Sequence, residues 1–277
     1  MTDIKIPLAG VIGAPIAHSK SPKLHRHWLN AYGIDGFYIP MDVSSPDLEN
    51  VLRTLPKMGF VGVNITIPHK EAVLQIADLV TDRATLIGAA NTLIFRNDGK
   101  IHADNTDGYG FVENLKTGAP NWQADAGPAV VFGAGGAARA VIVALLDAGV
   151  PSVILTNRTR SRAEKLQSDF GNRVQVIDWV QAGNVLEQAS LVVNTSSLGM
   201  QGQPEMRIPL DGLRETAVVT DLVYTPIKTR LLEIAEQKGC TTVDGVGMLL
   251  HQGVPGFERW FGRRPKVNDE TRKAVLS

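Results

Sequence analysis

The chain contains 277 residues, and its 28 Lys and Arg residues are balanced by 28 Asp and Glu residues. Zero net charge argues against a nucleic-acid-binding protein, whose contact surface is usually basic, and against an acidic solvating tail. The single cysteine, Cys240, excludes an intramolecular disulfide and a cysteine-rich zinc site. Neither a signal-peptide pattern nor an apolar run long enough to span a membrane occurs, so we expect a cytoplasmic protein.

Strand and helix patterns alternate through the first part of the chain. Strands are predicted at Leu8–Ile12, Gly36–Asp42, Phe60–Ile67, Thr92–Phe95 and Lys100–Ala103, and helices begin at Ser21, after Pro46, at Pro68 and near Thr106. The last two of these strands flank Asn97-Asp98-Gly99, which is a hairpin turn signal. This alternation predicts a mostly parallel sheet that is covered on both faces.

A polar stretch rich in Gly and Pro, residues 116–128, interrupts the alternation and is the domain boundary that composition favours. Further strands are then predicted at Ala129–Phe132, Val153–Thr156, Val174–Ile177, Leu191–Asn194 and Val218–Thr220. Apolar residues at helical spacing predict a helix over Val246–Phe261, and a last helix follows Pro265.

A glycine-rich turn separates the strand that ends at Phe132 from an apolar helix. It has the pattern G-x-G-x-x-A, from Gly133 through Gly135 to Ala138. The first glycine permits a tight turn, the second lets a pyrophosphate approach the backbone, and the small last residue lets helix and strand pack closely. Free N–H groups at the helix N-terminus suit phosphates. This context favours a dinucleotide site, and the alternative is a turn selected for packing alone.

The residues after the second strand of this half indicate which dinucleotide binds. An NAD enzyme would carry an acid there for the ribose hydroxyls, but the chain has Asn157, Arg158 and Thr159, followed by Arg160 and Arg162. A guanidinium supplies the charge and the paired hydrogen bonds that a 2′-phosphate needs, so the sequence predicts NADP. The alternative for Arg160 and Arg162 is a solvated helix face, with Glu164 as a partner. Arg160 fits this alternative better than Arg158 does.

Polar residues at the end of the third predicted strand indicate a cleft in the first half. Asn64 and Thr66 share one face there, although a covered strand should be apolar on both faces. If Pro68 begins a helix, Lys70 lies in its first turn, where the helix dipole disfavours a cation. A lysine that is locally unfavourable suggests a functional site, and the alternative is an exposed helix lysine.

Two further groups have both a structural and a functional interpretation. Ser21 before Pro22 suits a helix N-cap, yet Ser19 and Ser21 beside free N–H groups would also bind a carboxylate. Asp107 suits a cap of the next helix, or it could hold and orient the Lys70 ammonium. The six histidines show no metal-ligand spacing, so no metal site is expected.

These residues together resemble the shikimate dehydrogenase family over nearly the whole chain. The motifs that carry the resemblance are Ile16–Pro22, Asn64–Glu71, Gly88–Leu93, Asp104–Gly108, Gly133–Ala137, Asn157–Ala163 and Asp244–Gln252. The resemblance implies NADP-dependent interconversion of 3-dehydroshikimate and shikimate in aromatic amino-acid biosynthesis. It implies an N-terminal α/β substrate domain over residues 1–106, completed by C-terminal helices at 246–277, and a Rossmann-type doubly wound NADP-binding domain over 107–245.

The resemblance also implies a role for individual residues. Lys70 and Asp107 would be the catalytic pair. Ser19, Ser21, Asn64, Thr66, Asn91, Tyr224 and Gln252 would bind the substrate, and the cofactor would be held by Gly133, Ala134, Gly135, Gly136, Ala137, Asn157, Arg158, Thr159, Arg162, Leu222 and Gly245. The expected partner is a small-molecule substrate, with no nucleic acid or membrane, and the enzyme would be a monomer or homodimer.

Three alternatives remain beside this interpretation. A quinate/shikimate dehydrogenase that prefers NAD would carry an acid near position 158, where this chain has Arg158. A folate-linked methylene dehydrogenase of similar two-domain shape would not explain the Ser19, Ser21 and Asp107 motifs. An NADP-sensing regulator that lost the chemistry would not need Lys70 and Asp107.

Overall fold

The computed structural model describes residues 6–277, and the chain divides into two compact units. The first unit combines the N-terminal residues up to Thr106 with Leu250–Ser277, and the second is the continuous segment Asp107–Leu249. The Gly- and Pro-rich stretch 116–128 therefore lies inside the second unit, and the chain leaves the first unit earlier, at Thr106.

The described residues form α-helices, β-strands and short 3₁₀ helices. The strands are β1 (Leu8–Gly13), β2 (Phe37–Asp42), β3 (Phe60–Ile65), β4 (Leu79–Val80), β5 (Thr92–Phe95), β6 (Ile101–Asp104), β7 (Ala129–Phe132), β8 (Val153–Thr156), β9 (Val174–Ile177), β10 (Leu191–Asn194), β11 (Val218–Asp221) and β12 (Thr241–Val243). The α-helices are α1 (Ser21–Ala31), α2 (Leu48–Thr54), α3 (Val73–Ile76), α4 (Asp82–Ile87), α5 (Asp107–Gly118), α6 (Gly136–Asp147), α7 (Arg160–Phe170), α8 (Arg230–Gln237), α9 (Val246–Phe261) and α10 (Asp269–Leu276). The 3₁₀ helices lie at Ser45–Asp47, Leu55–Met58, Ala124–Ala126, Gly171–Arg173 and Trp179–Gln188.

The first unit contains a six-stranded mixed sheet in the order β2-β1-β3-β5-β6-β4. Strand β1 pairs in parallel with β2 and β3, whereas β5 is antiparallel to both β3 and β6. The predicted hairpin thus forms, and it makes this sheet mixed where a mostly parallel one was expected. Strand β3 uses its two faces differently, because Val63 and Ile65 enter an aliphatic core while Gly62 faces the Trp260 ring.

Trp260 lies close to the sheet because position 62 is a glycine. A Cβ at Gly62 would lie 2.0 Å from Trp260 Nε1, and the same nitrogen donates a 3.1 Å hydrogen bond to Leu93 O. His25, Trp28 and Phe257 complete an aromatic cluster with Trp260 on this side. The C-terminal residues of the chain therefore cover one face of the N-terminal sheet.

The second unit contains a six-stranded parallel sheet in the order β12-β11-β10-β7-β8-β9. Its strands are apolar on both faces: Ala129 and Val131 enter one core cluster, while Val130 and Phe132 enter another on the opposite side. Such strands are typical of a sheet with helices on both faces. This strand order is that of a doubly wound Rossmann-type sheet, and it confirms the predicted fold class.

Candidate functional site

The start of helix α1 places Ser19 and Ser21 side by side, but not in the predicted arrangement. Ser21 is the first helical residue, the N-cap position is Lys20, and no side chain caps the helix. The predicted N-cap role of Ser21 is therefore wrong. The Ser19 hydroxyl instead accepts a 3.4 Å hydrogen bond from the Ser21 N–H, so the turn before the helix lets Ser19 reach one of the N–H groups at its end.

A buried polar network joins four strands or helices of the first unit. The Asn64 amide Nδ2 donates to Asn91 O at 3.0 Å and to Thr92 Oγ1 at 3.2 Å. Asn91 Nδ2 in turn donates to Gln252 Oε1 at 3.2 Å, and the Thr106 hydroxyl donates to Gln252 O at 2.9 Å. Three predicted substrate residues, Asn64, Asn91 and Gln252, are thus brought together by direct hydrogen bonds.

Three members of this network were not found by sequence reasoning. The Tyr38 hydroxyl donates a 2.7 Å bond to Asn64 Oδ1, Thr92 accepts from Asn64, and Thr106 N–H donates to Asn91 Oδ1 at 2.8 Å. Each is buried. The available signal was that Thr92 and Thr106 lie within the motifs Gly88–Leu93 and Asp104–Gly108, whereas nothing in the local sequence distinguishes Tyr38.

Lys70 lies in a turn, not in the first turn of a helix. Strand β3 ends at Ile65, so the predicted strand to Ile67 is too long, and α3 does not begin until Val73. The side chain of His69 is buried with Nε2 2.7 Å from Val43 O, and Lys70 O accepts a 2.8 Å bond from Ala90 N–H. These two long-range bonds hold the turn that carries half-buried Lys70. Half-buried Thr66 follows the strand end.

Asp107 is the first residue of helix α5 and the first residue of the second unit. A carboxylate at a helix N-terminus is favoured by the helix dipole, so its position alone is consistent with a structural role. The residue before it, Thr106, is completely buried and held by Asn91. Gly108, the residue after it, lies so close to α6 that a Cβ would be 3.0 Å from Ala144 Cβ. The backbone on either side of Asp107 is therefore rigidly held.

The predicted dinucleotide turn has the local geometry that its glycines suggested. Gly133 has a φ of 109°, and a Cβ there would lie 2.7 Å from Thr195 Oγ1. Gly135 precedes α6, and a Cβ on either Gly135 or Gly136 would have no neighbour within 4 Å. With Ala134 and Ala137 they surround open space at a helix N-terminus, where a pyrophosphate group fits.

The arginines after β8 differ in their partners. Arg160 donates to Glu164 at 2.8 Å and to Asp178 at 2.6 Å, as expected for a solvated helix face. Arg158 and Arg162 are exposed, and neither has an ion-pair partner within residues 6–277. Asn157 Nδ2 donates to Thr159 O at 2.8 Å, which holds the turn that carries Arg158. An anionic group beside this turn would meet the guanidinium groups of Arg158 and Arg162, which pair with no carboxylate of residues 6–277.

Hydrogen bonds join the ends of β10 and β11 at the same edge of the sheet. Asn194 Nδ2 donates to Asp221 Oδ1 at 2.9 Å, and Leu222 N–H donates to Asn194 O at 2.9 Å. Gly245 is buried, and a Cβ there would lie 2.4 Å from Leu222 O. The structure thus brings together two of the predicted cofactor residues, Leu222 and Gly245, and places half-buried Tyr224 in the same loop.

Asp221 is a buried carboxylate that sequence reasoning did not single out. Burial raises the pKa of Asp221 from 3.8 to about 6, against hydrogen bonds from Thr229, Val223 N–H and Asn194 that favour the ionised form. Because the folded-state pKa exceeds the unfolded-state value, folding favours the protonated acid. The stability contribution of Asp221 therefore falls as the pH rises through the window from about 4 to 6 and is constant above it.

We expect Asp221→Asn to remove this pH dependence. A difference of about two pKa units corresponds to roughly 3 kcal/mol. The free energy of unfolding of the unmodified protein minus that of Asp221→Asn is the quantity to follow. This difference should fall by about this amount between about pH 4 and pH 7. Chemical denaturation of both proteins across this range measures it, and a difference that is independent of pH would contradict the prediction.

Two groups of predicted residues therefore emerge, one in each unit. The first unit holds Ser19, Ser21, Asn64, Thr66, Lys70, Asn91 and Gln252, and the second holds Asp107, Tyr224 and the predicted cofactor residues. Within residues 6–277, no helix has both the length and the apolar character needed to cross a bilayer.

Family models match three parts of the chain. Residues 11–93 match the shikimate dehydrogenase substrate binding domain, residues 120–202 match the shikimate / quinate 5-dehydrogenase family, and residues 245–276 match the shikimate 5′-dehydrogenase C-terminal domain. The three matches occur in the order of the sequence motifs.

Individual proteins are similar over the full chain. Shikimate dehydrogenase (NADP(+)) of Roseobacter denitrificans is 73% identical over 276 residues, covering 100% of both chains. The structure of shikimate 5-dehydrogenase from Thermus thermophilus in complex with NADP(H) and shikimate is similar with a TM-score of 0.86 and 36% identity, covering 98% of each chain. Quinate dehydrogenase from Corynebacterium glutamicum in complex with NAD has a TM-score of 0.90 and 34% identity, covering 98% of this chain and 99% of that one. From these full-length similarities and the three family models, the chain belongs to the shikimate dehydrogenase family.

Proposed function

We propose that this protein is an NADP-dependent shikimate dehydrogenase that interconverts 3-dehydroshikimate and shikimate. The observation that carries the proposal is the 73% identity, over the full length of both chains, to a protein named for that reaction. The motif residues of the family occur in this chain, at turns, strand ends and helical positions of the two units. The enzyme acts in aromatic amino-acid biosynthesis, in the cytoplasm, as a monomer or homodimer.

NADP fits the groups that the second unit provides. The proposed NADP-binding domain is residues 107–245, and residues 1–106 with 246–277 form the substrate domain. The turn Gly133–Ala137 offers open space and N–H groups for the pyrophosphate, and Arg158 and Arg162 offer guanidinium groups for the 2′-phosphate. Asn157, Thr159, Leu222 and Gly245 complete the proposed cofactor contacts. When bound, the nicotinamide supplies or accepts the hydride.

The substrate is held by side chains of both hydroxyl and amide type. Ser19 and Ser21 bind its carboxylate at the start of α1. Both Nδ2 hydrogens of Asn64 are used by Asn91 O and Thr92 Oγ1, so Asn64 contacts a substrate hydroxyl as an acceptor through Oδ1. Thr66, Asn91, Tyr224 and Gln252 bind the remaining hydroxyl or carboxylate oxygens.

Lys70 and Asp107 are the proposed catalytic residues. As hydride reaches the carbonyl carbon of 3-dehydroshikimate, the carbonyl oxygen gains negative charge and must take up a proton. Lys70 Nζ donates that proton, and in the reverse direction it takes the proton back from the hydroxyl of shikimate. The Asp107 carboxylate accepts a hydrogen bond from a substrate hydroxyl.

The function is tested by NADP⁺ reduction with shikimate and with quinate, each also assayed with NAD⁺. Efficient turnover of shikimate with NADP⁺ supports the proposal. Preferred turnover of quinate with NAD⁺ would instead favour the activity named for the Corynebacterium glutamicum relative. Tight NADP⁺ binding without turnover of either acid would favour the non-catalytic regulator.

We expect Ser19 and Ser21 to act in substrate binding. Alanine at either position should raise the KM for shikimate by about 5- to 100-fold, since a hydrogen bond to a charged group is lost. The KM for NADP⁺ should hardly change. Ser44→Ala, at a serine before the 3₁₀ helix Ser45–Asp47, is the matched control. A loss of thermal stability with an unchanged KM for shikimate would assign the serines a structural role only.

A further inference from the structure

Tyr38 is a buried phenol in β2, the edge strand of the first unit's sheet. Its side chain is 4% exposed, although its neighbours Phe37 and Ile39 are exposed at 55% and 42%. A tyrosine hydroxyl in such a position needs a partner, because a buried polar group without a hydrogen bond is costly. Tyr38 finds this partner in Asn64 Oδ1, at 2.7 Å.

The Tyr38 hydroxyl contacts a residue of the proposed substrate site. Its one hydrogen is donated to Asn64 Oδ1, so the bond runs from β2 to β3. Burial strongly raises the pKa of Tyr38, and the Ser21 side chain opposes this rise, so the phenol keeps the proton that it donates. Its own ring has no place in the proposed chemistry.

His25 holds the Tyr38 ring. The two rings are stacked, with centroids 3.9 Å apart and planes inclined by 4°. His25 is completely buried, its ring nitrogens have no hydrogen-bond partner, and burial lowers the pKa of His25 to about 3. The imidazole is therefore neutral and offers the Tyr38 ring a flat, uncharged surface, with Trp28, Phe257 and Trp260 around it.

The hydrogen bonds of the Asn64 amide show what the Tyr38 hydroxyl controls. Asn91 O and Thr92 Oγ1 take both Nδ2 hydrogens, so Tyr38 is the partner that sets the Oδ1 end of the amide. One lone pair of Oδ1 accepts from Tyr38, and the direction of the other follows from it. Moving Tyr38 would therefore shift Asn64 Oδ1.

We propose that Tyr38 is a positioning residue, whose hydroxyl sets Asn64 Oδ1 in register for the substrate. The proposal rests on the proposed function, because it concerns the binding of shikimate. Tyr38 acts through Asn64 and has no contact of its own with the reacting atoms.

The first test is Tyr38→Phe, which removes only the hydroxyl. We expect the KM for shikimate to rise by about 5- to 50-fold, while kcat stays within about threefold and the KM for NADP⁺ within about twofold. Tyr32→Phe is the matched control, because the Tyr32 hydroxyl also has a hydrogen bond, from Lys266 N–H at 2.9 Å, but lies outside the network. In the control the KM for shikimate should stay within about twofold.

A double-mutant cycle separates positioning from a general structural effect. If Tyr38 acts through Asn64, adding Tyr38→Phe to Asn64→Ala should change the KM for shikimate by less than about twofold. Thr92→Val keeps Tyr38 intact and loosens the other end of the same amide, so it should also raise this KM. It provides the measurement if Tyr38→Phe does not fold.

If the unmodified enzyme is active and the folded Tyr38→Phe variant keeps a normal KM for shikimate, the proposed role of Tyr38 is wrong. The proposed function is then unaffected. Full additivity with Asn64→Ala would overturn the role of Tyr38 as well. If the unmodified enzyme neither binds nor turns over shikimate, the proposed function fails, and the role of Tyr38 fails with it.

Discussion

Lys70→Met should lower kcat for shikimate oxidation by about 10²–10⁴, the usual effect of removing a positioned general acid or base. Methionine keeps the length of the side chain and removes its charge. The turn that carries the residue is held by His69 and by the bond from Ala90 N–H to Lys70 O, neither of which involves the ammonium. The KM for NADP⁺ should therefore hardly change, and steady-state kinetics with saturating shikimate measure both quantities.

Lys57→Met is the control for this experiment. Lys57 is an exposed lysine in the 3₁₀ helix Leu55–Met58 of the same unit, so its loss should leave kcat within about twofold. Near-normal kcat in Lys70→Met would reduce Lys70 to a binding contact or a surface lysine, and the proton would then have to come from Asp107 or from water.

Arg158→Ala should lower kcat/KM with NADP⁺ by about 10- to 150-fold, since the loss of a hydrogen bond between charged groups costs about 1.5–3 kcal/mol. The efficiency with NAD⁺, which has no 2′-phosphate, should stay nearly constant. In the unmodified enzyme the KM for NADP⁺ should rise with ionic strength, because an exposed guanidinium is screened by salt. The assay compares both cofactors in both proteins.

Arg173→Ala removes another exposed arginine of the second unit, in the 3₁₀ helix Gly171–Arg173, and should change neither efficiency. If the unmodified enzyme uses NAD⁺ as efficiently as NADP⁺, the interpretation of Arg158 is wrong.

Features set by neighbouring residues were predictable from the sequence. The strand Ala129–Phe132, the glycine turn and the helix after it occur as predicted, because turn chemistry and apolar pattern lie within one short segment. The pairing of Arg160 with Glu164 also occurs as the sequence suggested, since the two residues are one helical turn apart.

Features set by distant residues were not predictable. Pro68 favours a helix start, but the bonds to Val43 O and from Ala90 N–H hold His69 and Lys70 in a turn. Tyr38 reaches Asn64 only because β1 pairs with both β2 and β3, and such strand pairing has no local sequence signature.

The division of the first unit between the two ends of the chain has a consequence for synthesis on the ribosome. Residues 6–106 emerge before Leu250–Ser277, the segment that carries Phe257 and Trp260 and covers their sheet. At about 5–20 residues per second, translation of the intervening segment takes roughly 7–30 s. During that delay the sheet of the first unit lacks the Trp260 ring that covers it, whereas the continuous second unit can complete its fold before the first unit does.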